Sequence, residues 1–92
     1  MEKFIIICET NFVSRGTIKE TKTLIRESFE KLSDAEFYMH KLYTYYLRER
    51  NRQLDDEIKS IDFKDKYLCV VIDRSNLRRI ETKLYYICKR MM

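Results

Sequence analysis

The first apolar segment is the unbroken run Phe4-Ile5-Ile6-Ile7-Cys8. β-Branched residues without polar alternation fit a strand covered on both faces, here from Lys3 to Glu9. The polar stretch from Asn11 to Gly16 follows, and its glycine marks the natural turn. Thr17, Thr21 and Thr23 favour extended structure in the next segment. They predict a second strand over Lys19 to Arg26, paired with the first as a hairpin; an early helix is the alternative for residues 17–27.

Ser33 with Glu36 three residues on matches a capping box, and Leu32 is placed to pack against Phe37 as a hydrophobic staple. Asp34 and Glu36 put negative charge in the first turn, where the helix dipole favours it. Ala35, Tyr38, Met39, Leu42, Tyr45 and Tyr46 then recur at three- and four-residue spacing, which predicts a buried helical stripe. That helix is expected to end near Arg52, before the sign of the charge reverses at Asp55, Asp56 and Glu57.

Beyond it, Ile58, Ser60 and Asp62 alternate with Lys59, Ile61 and Phe63, as in a short edge strand. Lys66 to Ile72 contains Tyr67-Leu68-Cys69-Val70-Val71-Ile72 and reads as a central strand. Asp73 to Asn76 makes a turn, with Ser75 or Asn76 as the cap of a terminal helix. Leu77, Ile80, Leu84, Ile87, Cys88 and Met91 would form its apolar stripe. A strand from Glu81 to Cys88 is the alternative, because Thr82, Tyr85, Tyr86 and Ile87 all tolerate one. The expected fold class is therefore α+β: a small, mainly antiparallel sheet with two helices on one face, in the order β-β-α-β-β-α. Ile5 to Ile7 and Val70-Val71 put apolar residues on both sheet faces. The face without helices is thus expected to meet a second copy, as a homodimer, or another protein.

The length of 92 residues suits one domain, residues 1–92. With 45% apolar and 37% charged residues the chain is neither disordered nor a membrane protein, and its longest apolar run is far below the ~20 residues that span a bilayer. The short N-terminal apolar stretch, followed at once by Glu9, Thr10 and Asn11, does not read as a secretory signal. Cys8, Cys69 and Cys88 are odd in number and lack metal-knuckle spacing, which points to reduced thiols in the cytoplasm, with one disulfide as the alternative. One glycine and no proline leave no glycine-rich phosphate loop and no flexible linker, and no cofactor is expected.

Charge is unevenly spread. Residues 41–53 carry a net +3 and residues 74–92 a net +5, against −1 over residues 1–40 and −3 over residues 54–73. On the expected terminal helix Arg79, Lys83, Tyr86 and Arg90 fall in one stripe; on the first helix Lys41, Arg48 and Arg52 form a looser one with Tyr45 beside it. Arginine and tyrosine anchor protein interfaces, so both stripes are candidates for receiving an acidic protein surface. Phosphate contacts with a tyrosine stacked on a base are the alternative, with Arg74, Arg78 and Arg79 as a possible recognition patch. Solvated helix faces would account for the same residues without any partner.

Catalytic chemistry finds little support. His40 has Glu36 and Thr44 four residues to either side but no persuasive nucleophile. Asp55, Asp56 and Glu57 are consecutive and fit a charged turn. Asp62, Asp65 and Asp73 sit at the ends of the last two expected strands, where gathering them for Mg²⁺ gives a metal-dependent nuclease as the remotest reading. The leading expectation is a non-enzymatic adaptor or inhibitor that binds another protein and self-associates. A nucleic-acid-binding accessory protein comes second. The abundance of Ile, Lys and Tyr would suit a virus or mobile element of low-GC coding bias.

Overall fold

The expected hairpin forms, and both of its strands run longer than their apolar cores. In the computed structural model β1 spans Glu2–Ser14 and β2 spans Thr17–Phe29, paired antiparallel. The structure describes residues 2–14, 17–52, 56–64, 66–74 and 78–91, with the side chains of 14, 17–22 and 56 left aside. Asn11 to Ser14, expected in a turn, continue β1. Arg15 and Gly16 lie outside the described residues.

The helix α1 covers Leu32–Arg50. Most of its apolar stripe is as the spacing predicts, with Ala35, Met39 and Tyr46 buried and Tyr38 and Leu42 packed beside them. Tyr45 of the expected stripe is 47% exposed, and Tyr43 packs on the core instead. The capping box does not form. Lys31 occupies the cap in extended geometry, without a side-chain cap hydrogen bond, so Ser33 is already the second helical residue. Phe37 is 63% exposed, and its ring lies 4.9 Å beneath the Lys41 ammonium; the expected staple against Leu32 gives way to a cation–π contact.

Three more strands complete the sheet: β3 (Asp56–Lys64), β4 (Tyr67–Arg74) and β5 (Arg79–Met91). The strand order is β2-β1-β5-β4-β3, every pair antiparallel. β3 is an edge and β4 is interior, as expected. Of the turn expected at Asp73–Asn76, Asp73 and Arg74 belong to β4, and Ser75 and Asn76, the expected caps, lie outside the described residues.

The expected two-helix β-β-α-β-β-α fold is overturned by β5. The segment read as a terminal helix is the central strand, paired from Ile80 to Met91 with β1 on one side and from Arg79 to Tyr86 with β4 on the other. A helix there would leave two strand edges without hydrogen-bond partners, a larger loss than any gain from its apolar stripe. Its apolar residues divide between faces: Tyr85 and Ile87 join the core under α1, whereas Ile80, Leu84, Tyr86 and Cys88 face away.

One helix thus covers one face. β2 and β3 are opposite edges, so the β2–α1–β3 connection must cross the whole sheet. A 19-residue helix is about 28 Å long, enough to cross five strands obliquely. Beneath it pack Ile6, Cys8, Leu68, Val70, Ile72 and Tyr85.

Both edge strands carry β-bulges, and these decide which residues reach the core. Ile58 pairs with Ile72 but Ser60 pairs with Val71, so Lys59 is an extra residue in β3. The shift puts Ile58, Ile61 and Phe63 together on the helix side, where strict alternation would divide them. β2 has two extra residues: Arg26, between Ile25 opposite Ile7 and Glu27 opposite Ile6, and Lys19, between Ile18 opposite Val13 and Glu20 opposite Phe12.

Candidate functional site

The helix does not roof the β2 side of the sheet completely. Leu24, in register with buried Cys8, remains 58% exposed, and a groove opens between α1 and the β2–β1–β5 half of the sheet. The groove encloses about 420 Å³ and is lined by Arg26, Lys41 and Lys83, by Leu42, and by Tyr38, Tyr45, Tyr46 and Tyr85. Three cations and four phenols line it, with no carboxylate among the described lining residues.

Each element delivers its residues for a local reason. The β2 bulge re-aims Arg26, whose guanidinium hydrogen-bonds with Tyr38 of α1. That bond outweighs burial and raises the Arg26 pKa, keeping the cation charged. Lys83 reaches the groove because strand alternation places it on the same side as Tyr85, with Val70 and Thr10 as its cross-strand neighbours. Lys41 comes from the flank of α1 away from Phe63, one helical turn before Tyr45.

At the floor the hydroxyls of Tyr46 and Tyr85 lie 2.6 Å apart. Burial raises the pKa of each phenol; for Tyr85 the bond to Tyr46 adds to the rise, whereas for Tyr46 the bond acts in the opposite sense without cancelling burial. Both rings therefore stay neutral at physiological pH. Behind them Cys8 Sγ and Thr10 Oγ1 are 3.7 Å apart, extending the buried polar layer toward β1.

Glu81 is the nearest buried carboxylate along the strand, and it is already committed. It is 4% exposed and accepts hydrogen bonds from Arg74 Nη2 at 3.1 Å and Arg79 Nη2 at 2.8 Å. Burial opposes its ionisation, but the hydrogen bonds from both arginines and the charges of Arg74 and Lys83 prevail and lower its pKa from the ordinary carboxylate value. The Arg79 guanidinium also stacks 4.4 Å from the Phe12 ring centroid. Lys83 acts on Glu81 through charge alone, without a direct hydrogen bond or ion pair among the described residues.

The predicted stripe Arg79–Lys83–Tyr86–Arg90 does not exist as one surface. On a strand, period two replaces period 3.6: Arg79 and Lys83 lie on the helix side, Tyr86 and Arg90 on the other. The Tyr86 hydroxyl donates to Glu9 Oε1 at 2.9 Å. Arg74 and Arg79 grip Glu81 and so do not form the open basic patch with Arg78 that a helix start would have given. The first stripe is kept in part. Lys41, Tyr45 and Arg48 are exposed on α1, while Arg52 lies beyond the C-cap residue Asn51 and pairs with Glu49 at 3.4 Å. Phe37, missed by the sequence reading as a surface residue, heads this row, and the outer depression of about 430 Å³ is lined by Phe37, His40, Lys41, Thr44 and Arg48. Arg26, Tyr46 and Tyr85 were missed as site residues too, since only the bulge and the sheet pairing bring them to the groove.

His40 packs edge-on to Phe63 at 5.3 Å and Tyr43 at 6.3 Å, with no nucleophile hydrogen-bonded to it. Asp62 and Asp73 are not gathered: Asp62 pairs with Cys69 and Asp73 with Glu57, four strand positions apart along β4, and Asp65 lies outside the described residues. Among the described residues no group of acidic, histidine or cysteine side chains could hold a metal ion. The three cysteines are free thiols, Cys8 buried and Cys69 and Cys88 half-buried. Among the described residues no helix is long and apolar enough to cross a membrane. Compared with known proteins, the chain matches no family model, no curated protein and no solved structure.

Proposed function

We propose that this chain is a non-enzymatic, cytoplasmic binding protein that receives an acidic protein surface on the outer face of α1. The observation that carries this is the row Phe37, Lys41, Tyr45 and Arg48. Two aromatic rings, 63% and 47% exposed, alternate with two cations along one helix flank. Exposed aromatic and arginine side chains are the residue types that anchor protein interfaces, while the cations steer an acidic partner and fix its register. A bare phosphate-binding surface has no use for a phenylalanine as exposed as Phe37.

The reading includes a homodimer through the sheet face that α1 leaves uncovered. Ile25, Tyr67 and Ile80 are exposed there, with Val71, Leu84 and Cys88 half-buried between them. The bulges in β2 and β3 blunt both sheet edges, which favours face-to-face association over edge pairing.

The test is affinity capture from the native host at low and at high salt with nuclease treatment, repeated with Phe37→Ala and Arg48→Glu. A protein that survives nuclease and high salt, and that both variants lose, supports the reading. Nucleic acid alone, released by salt, overturns it in favour of a nucleic-acid accessory role.

A further inference from the structure

The outward row leaves the groove behind it unexplained. Arg26, Lys41 and Lys83 come from three different elements to line one cavity. Among the described lining residues no carboxylate stands beside these three cations. Glu81, the one buried acid on the same strand face, is neutralised by two arginines at 3.1 and 2.8 Å. The groove therefore carries a surplus of positive charge that suits a multiply charged anion better than a single carboxylate.

Its walls specify more than charge. Tyr38 and Tyr45 offer ring surface on the helix side, and Leu42 adds an apolar contact. The Tyr46–Tyr85 pair owns two hydroxyl protons, of which the mutual bond uses one. Tyr85 also hydrogen-bonds with the Cys8 thiol, and burial keeps both phenols neutral, so the floor of the groove presents no repelling anion. The volume of about 420 Å³ lies inside the ~300–1,000 Å³ of small-molecule sites.

The geometry points to a phosphate monoester carried on a planar ring, of mononucleotide size, as the ligand of this groove. Its dianionic phosphate meets Arg26, Lys41 and Lys83, and its ring packs on the tyrosine wall. Binding here is independent of the protein partner proposed above, although Lys41 and Tyr45 border both surfaces, so an occupied groove would alter the row beside it.

The experiment is calorimetric titration of the full chain at physiological salt with four probes: AMP, O-phosphotyrosine, adenosine and inorganic phosphate. Tyrosine emission provides a second readout, since the chain has 7 Tyr and no Trp. The expected result is saturable binding of at least one ester, about tenfold or more tighter than adenosine or phosphate. The tighter of the two esters identifies the source of the ring. Arg26→Gln, on the exposed edge, and Lys83→Gln are each expected to weaken that binding about tenfold while leaving the circular dichroism spectrum unchanged. Binding of neither ester, phosphate binding as tightly as the esters, or full affinity in both folded variants would overturn the proposal. Loss of the captured protein partner with ester binding intact would remove the first reading alone.

Discussion

The hydroxyls of Tyr46 and Tyr85, separated by 39 residues in sequence, share a 2.6 Å hydrogen bond that joins the only described helix to the central strand. It lies where α1 crosses β5, under the groove and inside the core cluster. Replacing Tyr46 with Phe keeps the packed ring and removes one partner of a buried pair. A loss of about 1–2 kcal/mol in denaturant unfolding is expected. The same pair sets an alkaline limit. Both folded-state pKa values are raised above the ordinary 10, so their contribution is complete below pH 10 and is lost as pH rises beyond it. Spectrophotometric titration is expected to show these two phenols ionising only together with unfolding; reversible ionisation in a folded chain would refute this.

Glu81 sets the acid limit. Its pKa is depressed below the ordinary 4.5, so its stabilisation is present above that value and fades as pH falls through the lower folded-state pKa. Glu81→Gln leaves Arg74 and Arg79 without their shared carboxylate. Because both guanidinium groups retain some solvent, the expected cost is about 2 kcal/mol rather than the larger figure for a fully buried pair. The variant is also expected to lose part of the wild-type dependence of stability on pH below 5.

Arg78 has φ of 49°, in the left-handed region, immediately before β5. No glycine supplies that conformation, because the chain's single glycine is Gly16. Arg78→Gly removes the steric cost of the side chain and is expected to raise stability by about 0.5–1 kcal/mol, after the entropy cost of glycine is counted. An unchanged or lowered unfolding midpoint would count against strain at this position.

Leu84 faces away from α1 at the middle of β5, between Glu9 and Cys69 on the neighbouring strands. Leu84→Lys is expected to turn a dimer into a monomer in light scattering while leaving the spectrum of the fold intact. A wild-type chain that is monomeric at high concentration would remove the dimer from the proposed function.

Met39 is 1% exposed beneath α1 and belongs to the core cluster. Met39→Ala is expected to cost about 2–5 kcal/mol, and calorimetric or denaturant unfolding measures it directly.

Much of the fold was legible from local patterns. The isoleucine run of β1, the apolar spacing of α1 and the β-rich segment of β4 each state their structure within about ten residues. The last segment did not, because Ile80, Leu84, Ile87 and Met91 satisfy a helical stripe while Thr82, Tyr85, Tyr86 and Ile87 satisfy a strand. Local preference left that choice open, and the unpaired edges of β1 and β4 closed it. The candidate site was legible by half: Lys41, Tyr45 and Arg48 follow from a correctly read helix, whereas the Arg79–Lys83–Tyr86–Arg90 stripe dissolved when its period changed.

The amino-acid sequence by itself determined where the chain alternates, where it is uniformly apolar, and where positive charge is concentrated, because these are properties of neighbouring residues. Only the tertiary structure decided that β5 is the centre of the sheet, that bulges at Lys59 and Arg26 redirect the edges, and that Arg26, Lys41 and Lys83 share one groove. Strand register and helix crossing bring together residues tens of positions apart, and their energy comes from pairing both edges of a strand and closing one core. No local window contains that term.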